Sequence, residues 1–119
     1  MPALNFSPQF AGLVQTGAKR QTIRKIRKRP IRRGDRLYLY TGQRTPNATL
    51  LRVEVCNGVS QVCIGEVHGR TVIEVNGSKL RPDEAKRLAV ADGFDNADGM
   101  VNWFRLRHGL PFYGVMIRW

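Results

Sequence analysis

The sequence predicts an α+β fold, a small β-barrel or curled mixed sheet flanked by about three helices. Three observations lead there. Short stretches rich in β-branched and aromatic residues recur between turn-forming pairs. Helix-start and helix-stop residues bracket three segments with an apolar stripe. The resulting order of one helix, five strands, two helices and a last strand does not alternate strand with helix, which argues against a parallel doubly wound sheet.

Ser7-Pro8 has the form of a helix start, with Ser7 as cap and Pro8 at the first helical position. Phe10, Leu13 and Val14 fall on one face, and Gly17 closes the helix. Gln21-Thr22-Ile23-Arg24 reads as a short strand, and the basic stretch with Pro30 and Gly34 as a loop. Strands follow at residues 37–40, 50–56, 61–67 and 71–75, with Asn57-Gly58 and Asn76-Gly77 as two-residue hairpin turns. The first of these turns would set Cys56 opposite Val59 and Cys63 near Arg52. Pro82-Asp83-Glu84 opens a helix striped by Ala85, Leu88 and Ala89 that ends near Gly93. Asp95, with Asp98 three residues on, caps another helix that buries Met100, Val101 and Phe104 and stops at Gly109. The apolar Phe112, Val115 and Ile117 make residues 112–119 a strand paired inside the sheet.

With 119 residues, 42% of them apolar, the chain suits a single domain over residues 1–119. No apolar run approaches the ~18 residues of a membrane span, and the first ten residues lack the charge and apolar block of a leader. A soluble, non-secreted, cytoplasmic protein is expected, with no membrane partner. Cys56 and Cys63 lack zinc-site spacing and read as half-buried thiols. His68 has no metal-ligand partner at usable spacing, and His108 suits a role at a helix C-terminus. There is no Ser-His-Asp set, P-loop or dinucleotide fingerprint, so no cofactor and no metal are expected. Nothing in the pattern fixes an oligomeric state.

Charge is concentrated. Residues 19–36 hold ten basic side chains against Asp35 alone, a local balance of +9, while the other ten basic and eight acidic residues leave only +2. Ten like charges with no neutralising neighbours in sequence repel each other, which favours a polyanion partner over a merely solvated face. The expected phosphate-contacting residues are Arg20, Lys25, Arg27, Lys28, Arg29, Arg32 and Arg33. Gln43 and Arg44, in a polar loop after the strand, are candidates for bonding a base or phosphate. Alternation puts Tyr38 and Tyr40 on one sheet face and Leu37 and Leu39 on the other, and Tyr40 is a candidate for base stacking; Trp103 and Trp119 are the other large rings considered.

Gly17-x-Lys19-x-x-Thr22-Ile23-Arg24, then Gly34-Asp35 leading into Leu37-Tyr38-Leu39-Tyr40-Thr41-Gly42, resembles an ASCH domain of the PUA-like superfamily. Ala91-Asp92-Gly93-Phe94, Gly109-Leu110-Pro111-Phe112 and Ile117-Arg118-Trp119 continue the likeness to the end of the chain. The resemblance implies a PUA-like β-barrel flanked by helices, a cleft beside the Lys-Thr segment, and an association with RNA or nucleoside chemistry. Some members are amidohydrolases of acetylcytidine that use a lysine, a threonine three residues later and a glutamate before the last helix; others are regarded as ribonucleases or RNA-binding modules. Lys19 and Thr22 match the first two positions. Asp92 stands where the glutamate is often found and is one methylene shorter.

In chemical terms, neighbouring cations and burial would make Lys19 a base near neutral pH. Thr22 is then the nucleophile or water-orienting hydroxyl, Asp92 the proton shuttle and Arg24 a planar fork for a carbonyl or phosphate oxygen. The function expected is binding of RNA or another nucleic acid by a basic loop beside a Lys-Thr cleft. The alternative is a hydrolase acting on RNA or on an acetylcytidine-type modified nucleoside.

Overall fold

The last strand of the chain is the spine of the fold. In a computed structural model that describes residues 2–119, β8 (Phe112–Arg118) lies inside a five-stranded antiparallel sheet. Its neighbours are β2 (Gln21–Arg24) on one side and β5 (Gly58–Val67) on the other; β6 (Arg70–Val75) and the two-residue β7 (Ser78–Lys79) extend the sheet beyond β5. A second sheet of three strands has β3 (Arg36–Thr41) at its centre. β1 (Ala3–Phe6) runs parallel to β3, and β4 (Thr49–Val55) antiparallel to it. The three helices are α1 (Pro8–Thr16), α2 (Pro82–Ala91) and α3 (Ala97–His108).

Side-chain alternation along β8 feeds two cores. Ile117, Val115 and Trp119 pack with Leu37 and Leu39 of β3, Leu4 and Phe6 of β1 and Phe10 and Val14 of α1, between the two sheets. Phe112 and Met116, on the opposite face, pack with Ala89 of α2 and with Met100, Val101 and Phe104 of α3. Each fully buried aliphatic or aromatic side chain contributes about 1.5–3 kcal/mol, so a strand buried on both faces anchors both layers. The fold is α+β, as expected. The strands form two separate ladders rather than a closed barrel, with β1 and β2 left as free edges.

Local chemistry explains most boundaries. Pro8 starts α1 after an extended Ser7, whose side chain makes no capping bond, and Gly17 ends it in the left-handed region. Glu84 accepts from the Arg81 backbone N–H at the start of α2. The cap of α3 is Asn96, not Asp95: its side chain accepts from the Gly99 N–H three residues on, and Asp98 sits inside the first turn. Asn76-Gly77 is a turn with both residues at positive φ, as expected. Asn57-Gly58 is not. Neither residue has positive φ, the Asn57 N–H donates to the Arg118 carbonyl, and the chain crosses there from one sheet to the other. Cys56 is therefore buried in the inter-sheet core, Cys63 sits on β5, and both are free thiols. No helix among the described residues is long and apolar enough to cross a membrane.

Candidate functional site

The free edges of β1 and β2 bound a cleft of about 870 Å³, closed at its far side by α3. That volume falls within the range of small-molecule and nucleotide sites. Lys19 reaches it from the turn between α1 and β2, where its N–H donates to the Leu13 carbonyl and sends the side chain inward. Thr22 and Arg24 project from β2 on the same face as their partners Ile117 and Val115. Asp92 is the C-cap of α2. Gly93 follows at φ +99, and a Cβ there would stand 2.9 Å from the Phe10 ring, so glycine is needed for both the turn and the seat of Asp92 against α1.

Lys19, Thr22 and Asp92 are buried polar side chains, as little as 2–4% exposed. The Lys19 ammonium lies 3.2 Å from Asp92 Oδ1 and also donates to the Asp92 backbone carbonyl. The Phe10 ring centroid is 5.0 Å from the same ammonium. Gln21 Nε2 donates to Asp92 Oδ1 at 3.5 Å. Arg24 donates through Nε to the Thr22 hydroxyl at 3.0 Å and through a terminal nitrogen to the Asn5 carbonyl at 2.7 Å, with its guanidinium 4.8 Å from the Phe6 ring centroid. One side chain thus fixes the Thr22 hydroxyl and bridges the gap between the two sheet edges.

Burial controls the titration of this group. It pushes Lys19 below its ordinary value, against the pull of the Asp92 carboxylate, and nearby Arg24 lowers it further. Burial likewise raises Asp92, opposed by Lys19, Gln21 and Arg24. The two values move toward each other, so a proton passes between ammonium and carboxylate more easily than between the same groups in water. Burial also lowers Arg24 to about 10, leaving it charged at neutral pH.

The rim is cationic. Lys25, Arg27, Arg44 and Arg107 join Lys19 and Arg24 along the lining, where Asp92 is the only acid among the described residues. Gln43 also lines the cleft, its N–H held by the Asn5 side chain. Other expected residues lie elsewhere. Arg20 bonds the Trp119 carbonyl away from the cleft, Lys28, Arg29, Arg32 and Arg33 stand exposed in the loop, and Tyr40 sits on the sheet face turned away from Leu39. That loop is tethered at its far end by buried Ile31 and by Asp35, which accepts from the Arg32 N–H.

Sequence reasoning did not place Asn5, Phe6, Phe10, Trp103, Arg107 or His108 in the lining. Trp103 packs edge-on against Phe10, Phe94 and Phe104, and Arg107 lies 4.5 Å over its ring. Its indole N–H is the one buried side-chain polar atom without a hydrogen-bond partner among the described residues. No group of three or more His, Cys, Asp or Glu is placed to hold a metal ion among them. Compared with protein-family models, curated proteins and solved structures, the chain gives no significant match.

Proposed function

We propose that this chain is an RNA-binding domain of the ASCH type in the PUA-like superfamily, acting in the cytoplasm. The observation that carries the reading is the convergence of Lys19, Thr22 and Asp92 in a cleft whose lining holds six cations against one carboxylate. A cleft of that charge suits a phosphodiester, and its aromatic walls suit a base. The exposed cations beyond it, Lys28, Arg29, Arg32 and Arg33, add phosphate contacts that carry no sequence information. The test is anisotropy of labelled single-stranded RNA at two salt concentrations. Affinity should fall steeply with salt, and changing Arg27, Lys28 and Arg29 together to alanine should make the logarithmic salt slope shallower by about 2, since each single-strand phosphate contact contributes about 0.7. An unchanged slope in the triple variant rules the loop out as the phosphate contact.

The buried Lys19–Asp92 pair favours a second reading, hydrolysis of an acetylcytidine-type amide. In it, water held by the Thr22 hydroxyl adds to the acetyl carbonyl carbon and the bond from that carbon to the cytosine amine breaks. The water's proton passes through Lys19 and Asp92 to the leaving amine, giving acetate and cytidine. Chromatography of acetylcytidine incubated with the protein decides it: turnover lost in Thr22→Val supports the hydrolase, and its absence in the parent protein leaves the binding domain.

A further inference from the structure

β1 belongs to two surfaces at once. Ala3 and Asn5 line the cleft, and strand register also sets them beside Tyr38 and Tyr40. In the next row, Val53 lies opposite Tyr38 and Leu50 opposite Tyr40. Leu37 and Leu39 are fully buried on the inner face, so the tyrosines point outward. The outer face of the three-stranded sheet therefore carries two part-buried aromatic rings beside Leu50, Val53 and Val55, which remain 46%, 45% and 57% exposed. Cations border it. Arg36 stands opposite Val55, Arg27 donates to the Ala3 carbonyl, and Arg44 lies at the cleft mouth. None of the residues that the register places on this face is acidic. An exposed apolar face of this kind marks an interaction surface, and its cationic border selects the partner.

We propose that this face carries single-stranded RNA out of the cleft, with bases stacked on Tyr40 and then Tyr38 and phosphates held by Arg27, Arg36 and Arg44. The inference rests on the RNA-binding reading above and narrows it. The partner is a segment of several nucleotides with unpaired bases, because a duplex hides the base faces and a free nucleoside has only one base for the two tyrosines.

The test uses labelled uridylate, a single nucleotide, and a labelled oligouridine of about nine nucleotides, below and within the usual span of a sheet-based single-strand site. The longer one should bind about a hundredfold more tightly, roughly tenfold for each stacked base, well beyond the severalfold gain from extra registers. Changing Tyr38 and Tyr40 together to leucine should remove most of that difference. Val53→Glu, at a position that is 45% exposed and outside both cores, should weaken the longer oligomer about tenfold. Equal affinities for the two lengths, or variants that bind the longer oligomer like the parent, overturn the proposal while the cleft reading stands. A parent dimer that Val53→Glu splits in sedimentation also overturns it, since the face then joins two copies of the chain. Failure of the parent protein to bind either one removes both readings together.

Discussion

The Lys19 ammonium and the Asp92 carboxylate meet at 3.2 Å, inside a protein that exposes almost nothing of either side chain. Such a pair is costly to assemble and more costly to halve, because removing one partner strands the other charge away from water. Asp92→Asn should therefore lose about 3–5 kcal/mol in urea unfolding, and the double variant Lys19→Met, Asp92→Leu should be more stable than Asp92→Asn. The sign with pH follows from burial, which already holds Lys19 below 10.5. Without the carboxylate it falls further, so the unfolded chain binds a proton that the folded one does not. Stability of Asp92→Asn should rise with pH until the unfolded lysine titrates. A variant whose deficit is the same at every pH would show that losing the carboxylate does not lower Lys19 further.

Gly114 governs the same cleft from behind. A Cβ at this position of β8 would run into the Arg24 carbonyl oxygen of β2 and stand 2.7 Å from the Phe112 ring. Backbone cannot yield as a flexible side chain does, so Gly114→Ala should cost about 1–3 kcal/mol. It should also push β2 outward and misplace Thr22 and Arg24. Thermal melts and RNA anisotropy together check this: affinity should drop even at temperatures where the variant is fully folded.

The alternation of Leu37-Tyr38-Leu39-Tyr40 and the helix stops at Gly17 and Gly109 were legible because local stereochemistry decides them. Long-range pairing decides the rest. Ala3-Leu4-Asn5-Phe6 shows period-two burial, yet only its parallel match to β3 makes it a strand, and a four-residue stretch gives no sign of that partner. Asn57-Gly58 has the composition of a hairpin turn, but pairing of β5 with β8 separates the strands on either side of it, and His68-Gly69 makes the turn between β5 and β6 instead. In the site, Lys19, Thr22 and Asp92 were named through a resemblance, and the geometry gathers them. Trp103 and His108 join the lining because α3 closes the far side of the cleft, a tertiary placement with no signature in residues 97–108. The charge run was conspicuous in sequence, while the division between cleft-lining Lys25 and Arg27 and the outlying Lys28 to Arg33 depends on how Ile31 is anchored.

His108 reports on occupancy of the cleft. Its imidazole is held below 6.5 by burial first, then by the Lys25 and Arg107 cations. A bound phosphate offsets both cations and should raise the value. Because RNA then favours the protonated ring, binding should tighten as pH falls, and that gain should be lost as pH rises through the value in the complex. Ring-proton NMR titration with and without RNA measures the shift directly, and His108→Asn should flatten the pH dependence of affinity between about 5 and 8. A titration curve that RNA leaves in place would put the phosphate elsewhere.

The unpartnered Trp103 indole N–H sets the last expectation. A buried donor with no acceptor costs about 1–3 kcal/mol, whereas the smaller phenylalanine ring leaves unfilled space of opposing effect. Trp103→Phe should therefore keep the stability within about 1 kcal/mol of the parent, an unusually mild outcome for an aromatic side chain packed against Phe10, Phe94 and Phe104. Ligand binding should respond differently. If RNA binding opens the aromatic cluster so that a base carbonyl accepts from this N–H, affinity falls about tenfold in the variant, the loss of one hydrogen bond in a desolvated site. Urea unfolding and anisotropy on the same preparation separate the two effects. A variant that is strongly destabilised but binds RNA normally would make Trp103 a packing residue alone.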